Sequence, residues 1–279
     1  MKEGVVAFVD ILGFSNSVKE ASKNSDPANL DSMLHIIENL ANANHEGGAK
    51  KIAEGSYEIS TTITSFSDSL VISQYLDADP NRSNNSHDLM MALINVAQTA
   101  SYITGFCLSQ GLLVRGGVSF GSIKHTKNII FGVPYIEAVE IENNLAIKPR
   151  IVVHNNLLAP FENNMEQLMS FCSIRRDYDG LFFIDWIEGY LQTCSRIEAI
   201  QGMLPSKGDT NLKNLKPLIK QTEDKMSYYK NRSNSQKEFS KWYWMASYIN
   251  NWLDDGLNED LKRFKKEMMK TEGITKITL

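Results

Sequence analysis

Blocks of apolar residues at two different periods organise this chain of 279 residues. Residues 5–11 form a β-branched and aromatic run ending at Asp10, with Gly13 just beyond, which predicts a central strand turning into a helix. From 27 to 44, Leu30, Met33, Leu34, Ile37, Leu40 and Ala41 recur at helical spacing, with Asp26 and Pro27 as the N-cap and first-turn pair. Residues 45–55 are polar and glycine-bearing and read as a loop. The β-prone stretch 57–72, broken at Ser67-Asp68-Ser69, predicts two antiparallel strands joined by a turn.

After a polar loop at 79–86, residues 88–110 predict a long helix with Leu89, Ala92, Leu93, Val96, Ala97, Ala100, Ile103 and Leu108 largely on one side. A strand follows at 112–120, carrying Arg115 ahead of Gly116-Gly117 and ended by Gly121. A second strand at 123–131 follows a short basic turn, then a helix at 132–142 and a strand at 150–153. This order predicts an α+β fold of the ferredoxin-like kind. Beyond His154 the pattern changes to a short strand at 181–186 and helices near 186–200, 212–229 and 237–252. The last carries Phe239, Trp242, Tyr243, Ala246, Ile249 and Leu253, a stripe that reads as core packed against the main domain. The expected organisation is a catalytic domain over 1–186 and a helical C-terminal extension over 187–279 packed on it.

A hydrophobic content of 42% suffices for one substantial core. The net charge of -4 gives no electrostatic reason to bind duplex nucleic acid or an anionic membrane. No apolar run reads as long enough to span a bilayer, and no leader pattern precedes the first strand, so a cytoplasmic protein is expected. Cys107, Cys172 and Cys194 lie far apart without C-x-x-C spacing, which reads as reduced thiols rather than a zinc site.

Asp10 and Asp68 change this picture, because each places a carboxylate at the end of an apolar, strand-like run. With Arg115 on a third strand, they suit a nucleoside triphosphate site: hard oxygen donors hold Mg2+ or Mn2+, and arginine offers a rigid fork to phosphate. Among the remaining polar candidates, Arg175, Arg176, Lys124 and His125 read as exposed turn residues, and Tyr135 as core.

The segment Phe8-Val9-Asp10-Ile11-Leu12-Gly13-Phe14 resembles the first metal-binding motif of class III nucleotidyl cyclases, and Phe66-Ser67-Asp68-Ser69 falls at their second. Val114-Arg115-Gly116-Gly117-Val118 lies where that family has its arginine-bearing strand, and Phe131-Gly132 followed by Glu137-Ala138-Val139-Glu140-Ile141-Glu142 matches its Trp-Gly and following helix in position. The resemblance implies a class III cyclase catalytic domain in which Asp10, Asp68 and the Ile11 carbonyl hold two Mg2+ or Mn2+ ions. Arg115 would clamp the triphosphate, and Phe14 and Thr64 would line the substrate. The ribose 3′-hydroxyl would attack the α-phosphate in sites built across a homodimer.

Classical purine cyclases read the base with Lys or Glu where this chain has Thr64, and use Asn and Arg where it has Ile136 and Glu140. In these departures, and in the run from Gly132 to Glu142, the chain is similar to the bacterial pyrimidine cyclases of the Pycsar antiphage systems. That similarity implies UTP or CTP as substrate, with cUMP favoured over cCMP, and a separate effector activated by the cyclic product. A catalytically inactive cyclase-like module that binds a nucleotide or a partner is the alternative.

Overall fold

The strand expected at 5–11 forms the middle of β1 (Lys2–Leu12), whose Val5, Val6, Ala7 and Val9 have no solvent exposure in the computed structural model. The structure describes residues 1–44, 46–47, 49–53, 56–59, 61–76, 85–200, 211–232, 235–255 and 259–279. Contacts divide the chain into two compact units, residues 1–100 with 112–185, and residues 101–111 with 186–279.

In the first unit β1 is followed by α1 (Phe14–Lys23) and α2 (Pro27–Asn42), then β2 (Ala49–Ala53), β3 (Ser56–Ile59), β4 (Thr62–Phe66) and β5 (Ser69–Tyr75). Next come α3 (Asn85–Ser109), whose last turns belong to the second unit, β6 (Leu113–Thr126), β7 (Ile129–Phe131) and α4 (Val133–Asn144). The unit closes with β8 (Ile151–Val153), α5 (Asn155–Leu158), α6 (Met165–Phe171), β9 (Ile174–Arg176) and β10 (Phe182–Ile184). The main sheet runs β4-β5-β1-β6-β8-β10-β9, with β7 added to the far end of β6.

The pairs β4–β5, β5–β1 and β1–β6 are all antiparallel, and helices connect β1 to the β4–β5 hairpin and β5 to β6. That connectivity and strand order are the ferredoxin-like α+β arrangement, extended by β8, which lies parallel to β6. On one sheet face α4 closes a core of Val6, Val71, Ile123 and Ala138, with Phe8 and Tyr135 packed edge to face at its margin.

Several expectations are corrected. Residues 45–55 were expected to be a loop, but 49–53 pair with 56–59 as a separate two-stranded ribbon; Ala-Lys-Lys-Ile-Ala lacks the apolar alternation that marks a strand lying on a core. Gly121 does not end its strand, because β1 continues to pair across it through Gly4↔Gly121 and Lys2↔Ile123. β6 therefore runs on to Thr126 and places Lys124 and His125 within a strand instead of a turn. The reading that no apolar run reaches membrane-spanning length is also overturned: Ser86–Ser109 of α3 is long and apolar enough by length and composition, although 61% of that window is buried inside the protein.

The second unit holds α7 (Trp186–Ile200), a 3-10 turn (Asn211–Leu215), α8 (Lys216–Lys230), α9 (Gln236–Asp254) and α10 (Glu259–Glu272), so α9 is not the last helix. Of the α9 stripe, Trp242, Ala246, Ile249 and Leu253 are buried, whereas Tyr243 is exposed. Trp186 packs on both Tyr190 and Tyr248, and Tyr102 stacks on Tyr190. The Asn250 side chain both donates to the Ile277 carbonyl and accepts from its N–H at 2.9 Å, pinning the C-terminal segment to α9. All three cysteines are free; burial pushes the Cys107 and Cys172 thiols up to about 12.

Candidate functional site

Antiparallel register brings the expected residues into one row. Asp10 on β1 stands opposite Ser69 on β5 and Arg115 on β6, so the three side chains emerge on the same sheet face. The Ser69 hydroxyl donates to Asp10 Oδ1 at 3.0 Å, and Arg115 Nε lies 3.9 Å from Asp10 Oδ2. Asp68 occupies the tip of the β4–β5 hairpin, whose last strand pair is Phe66↔Ser69. Its carbonyl accepts from the Ile11 N–H at 2.9 Å, which fastens the tip to the end of β1, and Ser15 Oγ lies 3.4 Å from its Oδ2. Gly13, at φ 79, makes the left-handed turn that lets α1 start directly beside these carboxylates.

Asp10, Ile11, Asp68 and Arg115 are thus brought together as expected from the sequence. Burial pushes the Asp10 carboxyl above the ordinary aspartate range; the Ser69 hydrogen bond opposes this, the Asp68 charge adds to it, and Arg115 opposes it. Two carboxylates held in mutual repulsion beside a backbone turn are a donor set that a hard divalent cation would relieve. Among the described residues no third His, Cys, Asp or Glu joins them as a cage. Such a set fits magnesium or manganese, which one or two carboxylates hold together with water and phosphate oxygens.

Sequence reasoning assigned no role to Glu142, Ser69 or Ser15. Glu142, on the last turns of α4, is buried and ion-pairs through Oε1 with Arg115 Nε. Gly117 permits that approach: a Cβ there would lie 2.2 Å from the Ala138 carbonyl oxygen and 2.6 Å from Ile141 Cβ, so only glycine lets α4 sit this close to β6. Burial raises the Glu142 carboxyl above its usual range, Arg115 lowers it, and Asp10 raises it. The available signal was helical phase, since Glu142 follows Ala138 by four residues and shares its buried face.

Thr64 and Phe14 are placed differently. Thr64 lies two residues up β4 from the hairpin's last pair and is buried, with its hydroxyl 3.0 Å from His125 Nε2. The other ring nitrogen of His125 meets Ser73 Oγ at 2.7 Å, and burial lowers the imidazole to about 4, so it is neutral near pH 7. The expected exposed-turn histidine is instead the centre of a buried polar network, because β6 continues past Gly121. Phe14 is buried at the start of α1.

Ile136 and Glu140 are exposed on α4. The turn expected to be simply solvated after Arg175-Arg176 is tied down: Arg150, buried, pairs with both Asp177 and Asp179, and Lys148 joins them. Burial alone would raise Asp179, but the Arg150 hydrogen bond and charge, with the Leu181 N–H and Lys148, hold it down at about 2. Arg175 pairs with Asp185, and Arg176 donates to the Gly180 carbonyl at 3.2 Å.

No family model and no curated protein matches the sequence. Among solved structures, the chain is similar to the adenylyl cyclase CyaB from P. aeruginosa at 15% identity, covering 65% of this chain and 92% of that one, with a TM-score of 0.28. It is also similar to the guanylyl cyclase Cya2 at 11% identity, covering 57% of this chain and 77% of that one, with a TM-score of 0.25. Superposition this loose assigns no activity. The site's own geometry has to do so.

Proposed function

We propose that the protein is a nucleotidyl cyclase that converts a pyrimidine nucleoside triphosphate, UTP in preference to CTP, to its 3′,5′-cyclic monophosphate and pyrophosphate. The observation that carries this reading is the row Ser69–Asp10–Arg115 with Asp68 fastened beside it, which sets two carboxylates and a guanidinium on one sheet face. Asp10, Asp68 and the Ile11 carbonyl would hold Mg2+ or Mn2+. When bound, such ions activate the ribose 3′-hydroxyl and neutralise phosphate charge.

The chain's own part is positioning. Ser69 fixes the Asp10 carboxylate, the Ile11–Asp68 backbone bond fixes the second, and Arg115 receives the triphosphate as a charge-assisted donor. The 3′-oxygen forms its bond to the α-phosphorus, the bond from that phosphorus to the bridging oxygen breaks, and pyrophosphate leaves. The hydroxyl proton passes to solvent.

The pyrimidine preference rests on the sequence departures at Thr64, Ile136 and Glu140 and on the resemblance that they carry. Thr64 is already engaged by His125, and the resemblance implies that groups from a second copy read the base, with the site completed in a homodimer. The cyclic product would act as a cytoplasmic messenger to a separate effector in antiphage defence. Incubating the protein with each of the four ribonucleoside triphosphates and Mn2+, and resolving products by chromatography and mass, tests the reading. Cyclic UMP should dominate; absence of cyclic product from all four would sink it.

A further inference from the structure

We infer that Glu142 is a positioning residue that aims Arg115 at the triphosphate, an inference that rests on the phosphate-binding role proposed for Arg115. The guanidinium is gripped along one edge. Its Nε pairs with Glu142 on one side and lies 3.9 Å from Asp10 on the other, while no ion pair or hydrogen bond of its two terminal nitrogens is found among the described residues. Glu142 is held in a costly place: its side chain is 4% exposed, and it sits near the C-terminal end of α4, where the helix dipole already disfavours negative charge. Arg115 is its ionic partner among the described residues.

The geometry assigns the two edges of the arginine separate duties. The buried Glu142 charge beside Nε, an ion pair without a formed hydrogen bond, draws the guanidinium toward α4, and the outward pair of nitrogens is left as a fork for two phosphate oxygens. Triphosphate therefore binds without displacing Glu142. Gly117 supports the same arrangement from below, since it sets the closeness of α4 to β6.

The probe is inorganic tripolyphosphate, titrated calorimetrically into the full-length protein with Mn2+ present. Glu142→Asp keeps a carboxylate charge beside Nε and should bind within about threefold of the parent, whereas Glu142→Leu removes the charge at similar volume and should weaken binding about tenfold or more, toward the Arg115→Ala level. With UTP the same loss should appear mainly in KM. Should Glu142→Leu fail to fold, Glu142→Met makes the same comparison.

Unchanged or tighter tripolyphosphate binding by the folded Leu or Met variant, with Arg115→Ala still defective, overturns the positioning role alone, because a carboxylate that merely competed with phosphate would tighten binding on removal. An unaffected Arg115→Ala variant overturns both this inference and the phosphate role beneath it.

Discussion

Half-buried Asp10 and buried His125 are titratable groups with opposite consequences. The folded-state pKa of Asp10 is raised, so its ionised form opposes folding above that pKa, and the cost disappears as pH falls toward the ordinary aspartate value. Without divalent cation, Asp10→Asn should melt higher than the parent at pH 7.5, with the advantage shrinking on acidification. Mn2+ should raise the melting temperature of the parent but not of the variant. A variant less stable at pH 7.5, or one equally stabilised by Mn2+, contradicts this account. His125, depressed to about 4, contributes stability that is complete above its unfolded pKa of about 6.5 and is lost as pH falls toward 4. His125→Leu would strand the buried Thr64 and Ser73 hydroxyls, at about 1–3 kcal/mol each at pH 7.5. In urea titrations that penalty should shrink between pH 6.5 and 4, and a constant penalty would refute the assigned protonation state. At this scale Asp10 and Asp68 were legible because a charge interrupting an apolar run is conspicuous. Glu142 was not, because one glutamate among three on a helix announces burial only when the facing strand is known.

The elements hold the site through close approaches. In Gly117→Ala the new methyl would meet the Ala138 carbonyl and Ile141, so α4 must lift from β6 at a cost of about 1–3 kcal/mol, carrying Glu142 away from Arg115. Denaturant unfolding should show that loss together with a raised KM for triphosphate, and an unchanged KM would detach the helix from the site. The continuous apolar run of β1 and the apolar stripe of α3 could be read from the sequence, whereas the buried face of α4 could not, since Ile136 and Glu140 on that helix are exposed. The β2–β3 ribbon could not, since backbone pairing leaves no apolar rhythm in its sequence. Nor could the length of β6, because whether Gly121 stops a strand depends on β1 continuing opposite it.

For the molecule as a whole, the ferredoxin-like order of β4-β5-β1-β6 followed from the alternation of strand and helix, and it brings residues 10, 68 and 115 together across long stretches of sequence. The groups that read the base were not legible, because in the proposed dimeric site half of the contacts would lie outside any single chain's register. The central claim is that in the proposed site Asp10 and Asp68 hold the divalent cation that cyclisation requires. It is tested most directly by the rate of cyclic nucleotide formation from UTP at saturating Mn2+, comparing the parent with Asp68→Ala, in protein verified as folded by its melting curve. The account predicts that the variant loses activity by about a thousandfold or more, as removal of a metal-holding carboxylate should cause. A variant that retains the parent's rate would contradict it.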